Sequence, residues 1–389
     1  MHAANGRAAA PRGEVYKRRI GFGRLRIDPR TLQSVAQKNT KGKGVKFAEA
    51  ARRYIEETRR DPAAKLTEQT RGQYESVYRL FDQWAEQPTL DAVTREQASE
   101  FLDTVAKLDP LWGRSPETKR RTFGEFFKLH GGGPRGLSNK TINRYATSLG
   151  LVWQWAMDRG LAGEGLVTPW TKQHRKKGER RDTEKLPFAE EEMQKLLRVR
   201  PDAKAKRHNV KSALAWIIWI SAFSGMRLNE ICSLKVTDLK KREGVWYFDV
   251  TNAKTEAGDR RVPVHSALIK LGLLKYAQAL EGEWLFPGLK PGGPDAKRSW
   301  YMTRAFGTYR KKLQVVRRND RGRDLVDFHS FRRSAIGCLE KARVPQTEVA
   351  QVVGHERAGI TFGTYNPERM GLKALRDAVE KIGYKGLRA

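Results

Sequence analysis

The stretch FHSFRRSAIGCLEKARVPQTEVAQVVGHERAGITFGTYNP, Phe328 to Pro367, gathers His329, Arg332, Arg333, His355 and Tyr365 into one short span. Its spacing predicts a helix opened by His329, Arg332 and Arg333, with Ile336, Leu339 and Ala342 on the apolar side. Pro345 starts a second helix with Val349, Val352 and Val353 facing inward. That helix stops at Gly354, because glycine tolerates the left-handed backbone of a helix end. His355 then falls just past the terminus, where a side chain can turn toward a site. Tyr365 follows, and Asn366-Pro367 ends whatever helical turn carries the phenol. Guanidiniums and imidazoles set around a phenol point to chemistry on a phosphate. They supply donors for its oxygens, proton carriers and an oxygen nucleophile.

Composition points the same way. The chain has 389 residues, long enough for two or three cored domains, and its 76 Lys and Arg against 44 Asp and Glu leave a net charge of +32. An excess of that size suits a polyanion, and its spread over all regions favours a protein that wraps its partner. A merely basic or ribosome-associated protein is the plainer reading of the charge alone. Cys232 and Cys338 lie in apolar helical patterns without metal spacing, as buried free thiols in a reducing compartment would. Met1 to Glu14 has no apolar core of a signal peptide, and the run Leu214 to Phe223 is about half a membrane span. The expectation is a soluble, cytoplasmic, nucleic-acid-associated protein.

The opening stretch resembles the second box of the tyrosine recombinase (phage integrase) family, H-x-x-R, then G-H, then Tyr about ten residues on. Here these are His329-Ser330-Phe331-Arg332, Gly354-His355 and Tyr365. SGMRLNEICSL, Ser224 to Leu234, resembles the family's first box, with Arg227 after a glycine and Glu230 three residues later. Lys254 stands between two strand-like stretches, where the family carries a hairpin lysine. Phe331 and Val353 replace leucines common in the family, and Arg333 stands where a second His is frequent. Each keeps bulk or charge. The resemblance spans about residues 45–385.

The rest of the chain supports that organisation. Residues 1–45 are rich in Arg, Lys and Gly, with twelve Lys and Arg before Phe47, and read either as a solvated tail or as an arm on DNA phosphates. Residues 46–170 carry four amphipathic helices. The first has Phe47, Ala50, Ala51, Tyr54 and Ile55 on one face. The second has Tyr74, Val77, Tyr78, Phe81 and Trp84. A third starts at a Thr94/Gln97 capping box, and a fourth near Ser138 carries Ile142, Tyr145, Leu149, Val152, Trp153 and Ala156. This resembles the family's helical core-binding domain, apart from a longer link over 107–137 with a short helix around Phe123 to Leu129. Residues 171–185 read as a charged linker, and 186–389 as the catalytic domain. That domain has a buried helix from Ser212 to Ser224 and a two-stranded hairpin over 245–250 and 259–265. The fold class is therefore mostly α with a small β-hairpin. The C-terminal stripe Leu372, Leu375, Val379 and Ile382 either caps its own domain or docks on a neighbouring protomer, as the family's C-terminal segments often do.

The resemblance implies DNA cleavage and rejoining through a 3′-phosphotyrosyl intermediate, without metal or other cofactor. Arg227 and Arg332 would bind the phosphate and Tyr365 would attack. His329 would take a proton, His355 would donate to a phosphate oxygen, and Lys254 would protonate the leaving 5′ oxygen. Tyr384 is a rival phenol outside the box. Implied partners are double-stranded DNA sites, a homotetramer on synapsed DNA and, where one exists, a directionality factor, with no membrane. A mobile-element or phage integrase fits the basic N-terminal region and the insertion better than a compact chromosome-dimer resolvase. A type IB topoisomerase, using the same groups, and a non-catalytic DNA-binding protein of the same fold are the rival readings.

Overall fold

The computed structural model describes residues 44–110, 112, 121–132, 136–163, 165–176, 185–204, 208–251, 259–320, 322–355 and 371–386. The basic N-terminal region, the hairpin turn with Lys254 and the segment with Tyr365 lie outside the described residues.

Four long amphipathic helices build the first half: α1 (Phe47–Arg60), α2 (Glu68–Trp84), α3 (Arg95–Ala106) and, after the short α4 (Phe123–His130), α5 (Asn139–Asp158). Their starts follow from local chemistry. Thr67, Thr94, Thr122 and Ser138 each turn a side-chain oxygen onto an otherwise unpaired first-turn amide, and Gln97 and Glu125 complete capping boxes. The apolar stripes meet around Phe81. Its ring stands edge-on to Phe47, Phe101 and Trp170 at centroid distances of 4.9, 5.1 and 5.2 Å. The described parts of the 107–137 insertion fold back on this half. Asp109 N donates to His130 O (2.7 Å), and Trp112 packs on Phe126 while its Nε1 donates to Tyr145 Oη (3.1 Å).

Part of the segment read as a linker packs on the helical half. Residues 171–176 are tied along the helices: Asn143 Nδ2 donates to Arg175 O (2.9 Å), Arg175 N to Asn143 Oδ1 (2.8 Å), and the Arg175 guanidinium pairs with Asp103. These contacts run between polar side chains and backbone, so no apolar pattern announces them.

A separate apolar cluster occupies the second half. It holds α6 (Glu190–Leu196), α7 (Val210–Ser224), α8 (Leu228–Cys232), strands β1 (Leu239–Arg242), β2 (Val245–Val250) and β3 (Arg260–Pro263), then α9 (Ser266–Lys270), α10 (Leu273–Gln278), α11 (Trp300–Lys312), α12 (His329–Lys341), α13 (Gln346–Val353) and α14 (Leu372–Val379). Every residue of α7 from Ala213 to Ser224 is buried, as its all-round apolar sequence requires. The sheet is antiparallel in the order β1-β2-β3, with Leu239 and Val262 flanking Phe248. It has one strand more than the expected hairpin. β1 is LKKR, a charged edge strand without the alternation that marks a half-buried one. The buried face of α12 also differs from expectation. Phe331, Arg332, Ala335 and Leu339 face the core, whereas Ile336 is half-buried and Ala342 exposed. The helix is turned so that Arg332 enters the interior.

The C-terminal stripe packs on its own chain. Leu372, Leu375, Val379 and Ile382 are buried, and α14 lies against β3 and α13. Glu380 accepts from Ser266 N (2.7 Å). His265 takes the Ala267 amide on Nδ1 (3.0 Å), which leaves Nε2 protonated to donate to Ile382 O (3.0 Å). Leu375→Ala should therefore cost the isolated protein about 2–5 kcal/mol in urea unfolding. A loss below about 0.5 kcal/mol would mean that the helix does not belong to this core in solution.

Candidate active site

Two helix ends create the site. α7 stops at Gly225 (φ 64°) and α13 at Gly354 (φ 70°), both left-handed, so each chain reverses tightly and aims a carbonyl back across the gap. Arg227, at the N-cap of α8, uses the second of them. Its amide donates to Glu230 Oε2 (2.8 Å), its Nη1 to Glu230 Oε1 (2.7 Å) and its Nη2 to Gly354 O (2.9 Å). Arg332 Nη1 donates to Gly225 O (2.9 Å). Its side chain is 1% exposed, and its Nη2 has no hydrogen-bond partner among the described residues. Burial, followed by the charges of Arg227 and Arg260, pushes this guanidinium down to about 9, so it stays protonated at neutral pH. A buried cation with an unused donor is costly by itself and is suited to an incoming anion.

His329 opens α12 with its amide on Asp327 Oδ1 (2.9 Å), and His355 follows Gly354 with its amide on Ala350 O (2.9 Å). Desolvation, then the charge of Arg332, holds both imidazoles below their ordinary pKa, so both are neutral at neutral pH. His355 also feels Arg227 and His329. The structure thus brings together Arg227, His329, Arg332 and His355 of the expected set. Lys254 and Tyr365 lie outside the described residues. Tyr384 is occupied: its hydroxyl donates to Ala222 O (2.7 Å), and burial pushes its pKa well above the ordinary phenol value.

Sequence reading missed Arg260. It lies on β3 opposite Val250, 4% exposed, with Nε on Val352 O (2.9 Å) and Nη2 on Glu230 Oε2 (2.9 Å). The signal was there, because Arg260 is in phase with Val262 and Val264 on the core side of a two-residue period. Burial opposes ionisation of Glu230, but the hydrogen bonds and charges of Arg260 and Arg227 outweigh it and hold that carboxyl below its ordinary range. Among the described residues no group of His, Cys, Asp and Glu is arranged to hold a metal, and no helix is long and apolar enough to cross a membrane.

Residues 188–370, which include both boxes, match the phage integrase family. The match covers just under half of the chain and places that segment in the phage integrase, or tyrosine recombinase, family. Among solved structures the chain is similar to a lambda integrase tetramer bound to a Holliday junction (15% identity, 86% of this chain and 83% of that one, TM-score 0.53). It is also similar to the Tn1549 transposon integrase in complex with circular intermediate DNA (16% identity, 86% and 99%, TM-score 0.51). At that identity the likeness is one of fold. A search of curated proteins gave no match.

Imidazoles held below about 6.5 bind protons less readily than in the unfolded chain. The stability they contribute is full above about pH 6.5 and is lost as pH falls through their lowered folded values. A His329→Gln/His355→Gln variant should show a shallower fall of urea midpoint from about pH 7 to 5 than the parent. The remaining slope would come from His265, whose pKa burial also lowers, and from carboxyls such as Glu230 held below their ordinary range. Equal slopes would show that the two site imidazoles titrate normally.

Proposed function

We propose that this protein carries out site-specific recombination for a mobile element or phage, cutting and rejoining double-stranded DNA through a 3′-phosphotyrosyl intermediate. The observation that carries this reading is the convergence of Arg227, Arg332, His329 and His355, with the Arg332 Nη2 donor left over. In the proposed reaction the Tyr365 oxygen attacks phosphorus and loses its proton to His329, which is neutral at neutral pH and so able to accept it. Negative charge building on the non-bridging oxygens is met by the guanidiniums of Arg227 and Arg332, both charged at neutral pH. A neutral His355 contributes one N–H. Lys254 gives the proton needed by the departing 5′ oxygen. The ester keeps the bond energy, so another 5′-hydroxyl can reverse the step and exchange strands.

In this reading residues 46–170 form the core-binding domain, residues 186–389 the catalytic domain and residues 1–45 a basic arm. The functional assembly is a homotetramer on synapsed sites, in keeping with the lambda integrase tetramer on a Holliday junction. No metal or cofactor is required, a directionality factor is an optional partner, and the protein works on DNA in the cytoplasm.

Tyr365→Phe should bind DNA with unchanged affinity and form no covalent adduct on a nicked suicide duplex, while Tyr384→Phe should still form one, apart from any loss of stability. An adduct from the Tyr365 variant would remove that residue as nucleophile. Lys254→Ala should cleave ordinary DNA about 10²–10⁴-fold more slowly. It should be largely rescued on a strand whose bridging 5′ oxygen is sulfur, since a thiolate leaves without a proton. Equal defects on both strands would move Lys254 from proton donation to binding.

A further inference from the structure

Arg260 has no part in the chemistry above, yet it is held by three elements at once. It stands on β3, its Nε meets the last turn of α13 at Val352 O, and its fork meets Glu230 on α8 through Nη2 (2.9 Å) and Nη1 (3.3 Å). A Cβ at position 354 would fall 2.8 Å from Arg260 Nη1, so the guanidinium is packed flat against the glycine that precedes His355. Arg227 shares the same carboxylate and holds the Gly354 carbonyl. Arg260 therefore touches the supports of two site residues without being one itself.

We propose that Arg260 is a positioning residue, which draws Glu230 away from Arg227 and braces the Val352–Gly354 backbone so that Arg227 and His355 face the substrate phosphate. The proposal rests on the assignment of those two side chains to a phosphodiester. Its physical basis is competition for one carboxylate. A carboxylate facing a single guanidinium prefers the two-pronged pairing. Here Arg260 engages both oxygens, Arg227 puts only one side-chain nitrogen on Glu230, and its other terminal nitrogen goes to Gly354 O at the mouth of the site. Without Arg260, Glu230 is free to take the whole Arg227 fork, and the Val352 carbonyl loses its brace. The local charge also matters. Arg227, Arg260 and Arg332 against Glu230 leave an excess of two positive charges for the phosphate, and loss of Arg260 halves it.

The test compares Arg260→Gln, Arg260→Lys and Glu230→Gln/Arg260→Gln in the full chain, with melting curves as a check on folding. At saturating protein, Arg260→Gln should form covalent adduct on a nicked suicide duplex about 10²-fold more slowly, the cost of a small misplacement. Its DNA affinity should change less than threefold, about half a log unit. Arg260→Lys, which keeps the charge but not the fork, should fall between. The double variant should be faster than Arg260→Gln alone, because an amide still caps Arg227 N but no longer holds the fork by charge. It also leaves no stranded carboxylate, so it decides the matter if the single variant does not fold. Independently of cleavage, the His355 titration in DNA-free protein, followed by NMR, should move up toward the ordinary value in Arg260→Gln. Among the described residues His355 faces the charges of Arg332, Arg227, His329 and Arg260. Unchanged cleavage in a folded Arg260→Gln, a double variant no faster than the single, or an unmoved His355 titration would each overturn the positioning role. If the parent itself formed no adduct, the proposed chemistry would fall, and the titration would still judge Arg260.

Discussion

Glu230 is one carboxylate placed among three guanidiniums, and the second half of the chain is arranged around that imbalance. Arg227 and Arg260 bond to it directly, while Arg332 donates to the Gly225 carbonyl instead. Cations crowded together and partly desolvated raise the energy of the unliganded protein. The fold answers with carbonyl dipoles: Gly225 O for Arg332, Gly354 O for Arg227 and Val352 O for Arg260. These acceptors are neutral, so they satisfy donors without cancelling charge. The cluster therefore keeps a positive excess that an incoming anion would offset.

Those carbonyls are available only because two helices end in left-handed glycines. A side chain at position 354 would meet Arg260, and one at 225 would press on Ala335 and Val353. The same positions that reverse the chain thus also allow α7, α12, α13 and β3 to approach one another closely. The aromatic cluster of Phe188, Phe306, Phe328 and Phe331 sits directly behind the His329–Arg332 turn, with Phe188 and Phe331 at 4.8 Å and Phe306 and Phe328 at 5.1 Å. Rigid packing there fixes the direction in which Arg332 enters the interior.

The helical half shows a different economy. Its core is a set of edge-on aromatic contacts around Phe81, and its helix starts are set by side-chain caps one to three residues away. Polar side chains then fasten the chain beyond Trp170 back onto α3 and α5. Asn143 does this by mimicking a backbone partner, donating to and accepting from Arg175.

Much of this was legible in the sequence, for a local reason. The capping box at Thr94, the stripe of α5, the all-apolar α7 and the Gly354 terminus are decided by residues within one or two turns, and the order of Arg227, His329, Arg332 and His355 carries the family likeness. Three features needed the tertiary structure. β1 is charged and exposed, and becomes a strand only because β2 offers its edge. The buried face of α12 takes in Arg332 and leaves Ile336 half-buried, because Phe331 packs into the cluster of Phe188, Phe306 and Phe328. Arg260 looks like an ordinary strand arginine until Glu230, thirty residues away in sequence, lies beside it. Caps and periodicities follow from nearest neighbours, whereas the pairing of a buried charge depends on which distant groups the fold brings within hydrogen-bond reach.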